Sequence, residues 1–342
     1  MPARALILAG ALGAGGCAAQ PAGPELADVP PPPPQGPDHH PQDRGWALVW
    51  ADEFDGDVLD PERWEHEESC WGGGNEEHQC YTARTDNVQV VNGQLRLIAK
   101  AERFTGPDRP HEHQMDGERS RDYTSGKVRT RGLADWRYGR FAARMKLPGG
   151  QGVWPAFWMM PANDAYGSWP LSGEIDILEA INLGAACEEC EGGRENRIHG
   201  ALHYGALPPD NDHHVRAARP PGGENPQDGF HVYAVEWGEG RIQWFVDDRL
   251  YLRIEAEDWF SAAEEAAGRP YAPFDQAFYL MFNLAVGGRW PEGENEGGVD
   301  PSAFPAEALV DWVRVHQCET DPETGRACME ETDAPGPHDP PD

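Results

Sequence analysis

Ser172-Gly173-Glu174-Ile175-Asp176-Ile177-Leu178-Glu179-Ala180 is the stretch that decides the fold. In a helix, successive side chains advance by about 100°, which would scatter the three acids round the axis. Ser172 as a helix cap would place Ile175, rather than Glu or Gln, at the third position of a capping box. In a strand, alternate side chains share a face, so Glu174 and Asp176 point one way while Ile175 and Ile177 point the other. Glu179 then falls on the wrong face. One extra residue at Ile177-Leu178 restores the phase, and a β-bulge supplies it. The segment is therefore expected to be a bent central strand with three carboxylates on one face and its aliphatic side chains in the core.

Outward from this strand, similar short runs recur. Val88–Val91, Gln94–Ile98, Gly139–Met145, His231–Trp237, Arg241–Val246 and Phe278–Leu284 all read as strands. Asn92-Gly93 between the first two is a hairpin signal. Trp259–Ala267 is the one convincing helical stretch. The long segments Glu102–Arg121, Ala186–Arg197 and Gly205–Gly229 are expected to be loops walling a cleft. With 40 Gly, 32 Pro and 13 Trp, the composition predicts an all-β sandwich of two antiparallel sheets. Residues 45–318 hold one domain of this kind.

The formal charge of −31 excludes nucleic acid as a partner, since phosphates would meet no neutralising field. It also disfavours sulfated or uronate polysaccharides. A neutral glycan is compatible, and a monomer is expected. At the N-terminus, Arg4 and the apolar run Ala5–Leu12 form an export signal over 1–17. Small residues before Cys17 have the character of a lipobox, which makes Cys17 a candidate lipid anchor in the cell envelope. Ordinary signal cleavage and release is the alternative. Residues 18–44 form a Pro-rich linker, and 319–342 an acidic, Pro-rich tail. The six remaining cysteines are even in number and suit disulfides in an exported chain, with local pairing of 70 with 80, 187 with 190 and 318 with 328. Cys187-x-x-Cys190 as half of a zinc site lacks a second CxxC.

Three acids on one face repel each other and raise at least one pKa. Retaining glycoside hydrolysis uses such an arrangement, with one carboxyl as nucleophile and a second as acid/base. Geometry leaves the roles of Glu174 and Glu179 interchangeable, with Asp176 between them. A solvated acidic strand, or Ca²⁺ ligation by the same acids, is the competing reading. Trp154 and Trp158 lie four apart on one strand face, and spacing alone does not separate core from cleft.

Glu174-Ile175-Asp176-Ile177-Leu178-Glu179 resembles the active-site strand of glycoside hydrolase family 16, in the bulged form of its laminarinase branch. Further stretches resemble that family in order. They include Trp50-Ala51-Asp52-Glu53-Phe54, Asn75-Glu76-Glu77-His78-Gln79-Cys80-Tyr81, Gly152-Val153-Trp154-Pro155-Ala156-Phe157-Trp158, His199-Gly200-Ala201-Leu202-His203 and Val310-Asp311-Trp312-Val313-Arg314-Val315. The resemblance implies a concave β-jelly-roll with an open cleft, hydrolysing internal β-1,3 linkages of β-glucan with retention. Other neutral polysaccharides, or binding without catalysis, are the alternatives. It also implies Glu174 as nucleophile, Asp176 as its partner and Glu179 as acid/base. Asn75, Trp154, Trp158, Trp169 and His203 are implied as substrate-binding residues. Lys127 departs from the family's common Arg. No catalytic cofactor is implied, but a structural Ca²⁺ is, held by Glu53, the carbonyl of Gly93 and Asp311.

Overall fold

The computed structural model describes residues 41–109, 117–331 and 335–336. The export signal, Cys17 and most of the linker lie outside the described residues. In chain order the strands are β1 (Trp46–Asp52), β2 (Glu65–His66), β3 (Gln79–Tyr81), β4 (Val88–Val91), β5 (Gln94–Pro107), β6 (Glu118–Ser125), β7 (Lys127–Arg129), β8 (Gly139–Lys146) and β9 (Val153–Pro161). They continue with β10 (Glu174–Glu179), β11 (Ile198–Gly205), β12 (Asn211–Ala218), β13 (His231–Gly238), β14 (Arg241–Val246), β15 (Arg249–Glu255), β16 (Phe278–Val286) and β17 (Ala306–Cys318).

These strands form two sheets. One runs β12-β11-β10-β9-β16-β7-β2; the other runs β15-β14-β13-β8-β17-β5-β6-β3, with β1 on β17 and β4 on β5. Pairing is antiparallel except between β3 and β6. The sheets pack face to face, as expected for a β-jelly-roll sandwich. Phe157 on β9 and Phe282 on β16 stack at 4.5 Å inside the shared core, which also takes Ile175, Ile177 and Leu178 from β10 and Val235, Trp237 and Trp244 from the opposite sheet. The hairpin at Asn92-Gly93 has positive φ at both residues (54° and 73°), the backbone that a two-residue turn of matching twist requires.

The catalytic-strand expectation holds in detail. From Asp176 to Leu178 on β10, the partner β9 advances only from Trp158 to Phe157. On the other side, Asp176 to Glu179 matches Ala201 to His199. One residue is thus extra on β10 against both neighbours, and Ile177 and Leu178 are both wholly buried. The three disulfides pair as expected, so Cys187 and Cys190 bond to each other rather than to zinc.

Three expectations are corrected. Trp259–Ala267 is not an α-helix: Trp259 is a buried core residue, Ser261 bridges to Gly205, and only Glu264–Ala266 makes a 3₁₀ turn. Tertiary contact overrides its Ala/Glu propensity. Glu102–Arg121 and Gly205–Gly229 are not irregular loops: both ends of the first belong to the β5–β6 ribbon, and the second contains β12. Residues 319–331 of the expected tail do not leave the domain. Cys328 is bonded back to Cys318, Met329 is buried, and the Glu330 carbonyl accepts from Gln243 Nε2 at 2.8 Å and Arg253 Nη2 at 2.9 Å. At the other end, Arg44 of the expected linker forms an ion pair with buried Glu236.

Candidate active site

Strand β10 enters the sheet from a turn at Gly173, where φ is +84° and a Cβ would lie 2.7 Å from the Phe274 ring. Buried Ser172 braces that turn, donating to the Gly167 carbonyl at 2.7 Å and accepting from Tyr166 N–H at 3.0 Å. The braced loop carries Trp169, whose indole N–H donates to Glu174 Oε2 at 2.7 Å. At the far end of the strand, Trp154 Nε1 donates to Glu179 Oε1 at 3.0 Å. The bulge itself is pinned from inside the sandwich. The carbonyl of Asp176 accepts from Nε1 of Trp244, on the opposite sheet, at 2.8 Å.

His203 on β11 stands directly across from Glu174. Its Nε2 lies 3.4 Å from Asp176 Oδ2 and 4.0 Å from Glu174 Oε1. Burial opposes its charge, but the contact with Asp176 and the charges of the three acids push its pKa up to about 10. The imidazole is a cation at neutral pH. Burial and then the charge of Asp176 raise Glu174 above the ordinary carboxylate range, against the counteracting pull of His203 and the Trp169 N–H. The same two causes raise Glu179 well above the ordinary carboxylate range. His199, across from Glu179, is held neutral by burial, with a pKa of about 4.

The expected substrate residues divide. Trp158 lies opposite Asp176 and donates to Asn283 Oδ1 at 2.6 Å. Trp154 packs with Ile181, Ala285 and Trp290, so it serves as a wall and as the donor to Glu179. Asn75 is exposed and reaches the row of Trp158 through hydrogen bonds: Asn75 Nδ2 to Glu77 Oε1 at 3.4 Å, Tyr81 hydroxyl to Glu77 Oε2 at 3.4 Å, and Asn283 Nδ2 to Tyr81 at 3.1 Å. Lys127 Nζ lies 4.9 Å from the Trp158 ring centroid and 3.0 Å from Glu67, whose charge it partners. Asn283, Tyr81 and Trp290 had no individual role in the sequence reading. Asn283 and Tyr81 stood inside quoted stretches, but their partnership depends on β16 and β3 meeting at this place.

The sequence pattern of glycosyl hydrolases family 16 matches residues 74–314. The chain belongs to that family. A "Beta-glucanase" of Rhodothermus marinus is 41% identical over 280 residues, 80% of this chain and 85% of that protein. The "Glucan endo-1,3-beta-glucosidase A1" of Niallia circulans is 38% identical over 283 residues, 80% of this chain and 38% of that longer protein. The X-ray structure of the laminarinase from Rhodothermus marinus aligns with a TM-score of 0.61 at 40% identity, over 79% of this chain and 97% of that one. As a family 16 member the chain is a glycoside hydrolase, and the carboxylates on β10 stand on the outer face of its seven-stranded sheet.

The expected calcium ligands of this glycoside hydrolase are placed differently. Glu53 holds Arg314 through both carboxylate oxygens, at 2.7 and 2.9 Å, and Asp311 holds Arg144 at 2.6 Å. Gln94, next to Gly93, has both amide atoms buried and unpartnered. The register pairs Leu95, the residue after Gln94, with Val310, the residue before Asp311. That amide oxygen suits a hard cation, but two guanidinium groups already neutralise the carboxylates. In these pairings the donors do not fit Ca²⁺ without release of an arginine.

Proposed function

We propose that this glycoside hydrolase cleaves internal β-1,3 linkages of a neutral β-glucan with retention, by double displacement. The observation that carries the role of each acid is the asymmetry of their surroundings. Glu174 has a cationic imidazole at 4.0 Å and an indole N–H at 2.7 Å, both of which favour its anion. Glu179 has one indole N–H, at 3.0 Å, and lies across from neutral His199 rather than from His203, so fewer contacts favour its anion. Glu179 therefore protonates the departing glycosidic oxygen while Glu174 attacks the anomeric carbon, giving a glycosyl ester. Glu179, now a base, takes a proton from water, which displaces Glu174 and restores both groups. Asp176, 2% exposed, stands between them, and its charge raises the pKa of both.

The test is release of reducing sugar from laminarin, lichenan and agarose in parallel. Laminarin is the expected substrate, and Glu174→Gln is expected to lower its turnover by about a thousandfold or more. Undiminished activity in that variant would sink the mechanism, and agarose alone as substrate would move the assignment to galactans. Export and anchoring through Cys17 stay part of the proposal, supported by the apolar run and small residues ahead of that cysteine. Metabolic labelling with a fatty acid tests it, with loss of label expected in Cys17→Ser.

A further inference from the structure

Strand β12 is the edge of the cleft-bearing sheet, and it has no place in the mechanism above. Its register with β11 sets His213 opposite His203, Val215 opposite Ala201 and Ala217 opposite His199. Cross-strand partners share a face, so these three residues extend the surface that carries the catalytic groups. The rings of His213 and His203 stack at 5.6 Å with planes 17° apart. Trp169, on the other side of His203, has its ring 6.0 Å away. The three rings, with Trp169 tilted by 44° to His203, thus form a shelf beside Glu174.

The shelf is open. His213 is exposed, Trp169 is 39% exposed and Val215 is 47% exposed. Leu207, in the turn between β11 and β12, and Phe260, whose carbonyl accepts from Gly205 N–H at 3.1 Å, are also exposed at this corner. Trp169, Leu207, Val215 and Phe260 are four of the nine large apolar side chains exposed among the described residues. Burial and the adjacent charge of His203 lower the pKa of His213, so its ring is neutral at neutral pH. Neighbouring strands lie about 4.8 Å apart, so β12 is about 10 Å from β10 across the sheet, room for about two sugar rings.

We propose that His213, with Val215 and Trp169, forms a further glucosyl-binding shelf that grips the glucan chain beyond the units spanning Glu174 and Glu179. The proposal rests on the β-glucanase reading of the site. Its occupant is the same chain of neutral sugar, because the shelf is continuous with the catalytic row through His203. Pyranose rings present an apolar face that flat rings cover, and burying it stabilises the complex without any charge.

The experiment measures kcat/KM on a ladder of β-1,3-gluco-oligosaccharides and on laminarin. His213→Ala is expected to raise KM, lowering kcat/KM about tenfold on laminarin and the longest oligosaccharides, with kcat unchanged. The shortest oligosaccharide that is cleaved should be unaffected by the substitution. His213→Phe, which keeps a flat ring, should restore most of the loss. An equal loss at every chain length would mean that His213 acts through His203, and no loss at any length would mean that the shelf is idle; either overturns the proposal. Failure of the unaltered protein to cleave any β-glucan would sink the reading of the site itself, and the shelf with it.

Discussion

Replacing Trp244 by Phe is expected to loosen the bulge that sets the phase of the three acids. Trp244 is wholly buried on the opposite sheet, and its Nε1 donates to the Asp176 carbonyl at 2.8 Å. A bulge interrupts the ladder locally, so a bond from outside the sheet matters more there than at a regular position. Phe keeps the apolar contact but offers no donor. Leaving a buried carbonyl unsatisfied costs about 1–3 kcal/mol, and the smaller ring adds roughly 1 kcal/mol for the void it leaves. A total of about 2–4 kcal/mol corresponds to a melting point lower by roughly 4–16 °C in a domain this large. Activity should fall as well. A shift of about 1 Å in a reacting group can cost a factor of about 100, and the bulge places Glu179 relative to Glu174. The control is Trp237→Phe. Trp237 is equally buried, and its Nε1 donates to the Phe274 carbonyl at 3.1 Å rather than to β10. Thermal melts and kcat/KM on laminarin, the latter well below the melting point, should show both variants destabilised and only Trp244→Phe impaired in kcat. If Trp244→Phe melts early yet keeps kcat within about twofold, the carboxylates do not depend on that bond, and the reasoning fails.

Three further outcomes are expected. His316 is 5% exposed, and burial together with Arg140 and Arg314 lowers its pKa to about 4, below the usual 6.5. The unfolded chain therefore binds more protons between these values, so stability is full above pH 6.5 and falls as pH drops toward 4, by at most about 3 kcal/mol; denaturant melts of His316→Gln should show a flatter slope in that window. Joint replacement of Cys318 and Cys328 by Ser removes a cross-link worth about 2–4 kcal/mol and frees residues 319–331, so the melting point should fall while kcat/KM at 25 °C stays unchanged. For Glu53 and Asp311, already held by arginines, excess EDTA should leave the melting point unmoved; a drop restored by Ca²⁺ would show that the carboxylates exchange their arginines for the ion.

What could be read from the sequence follows the range of the forces involved. The bulge at Ile177-Leu178 was legible because it is a local phase error: a strand period of two leaves Glu179 on the wrong side, and one residue corrects it. The disulfides at separations of 10, 3 and 10 are local too. Strand β12 was not legible. Asn211-Asp212-His213-His214-Val215-Arg216 has no apolar alternation, since an edge strand exposed on one face has little core to fill, so it read as part of a loop. Residues 319–331 read as a tail because a disulfide and carbonyl hydrogen bonds hold them more than a run of apolar side chains does.

The roles of the two glutamates mark the boundary most clearly. In the sequence they are equivalent ends of one strand, and any argument from spacing treats them alike. They become different through what reaches them from elsewhere. Trp169 arrives on the loop braced by Ser172, and His203 arrives on β11 by virtue of the register Glu174↔His203. The bulge places Glu179 beyond that pair, beside Trp154 and the neutral His199. The bulge that restores the face of Glu179 thus also sets it across from neutral His199 rather than from cationic His203. One displaced residue accounts for both the shared face and the unequal hold on a proton, and a retaining glycosidase needs the two together.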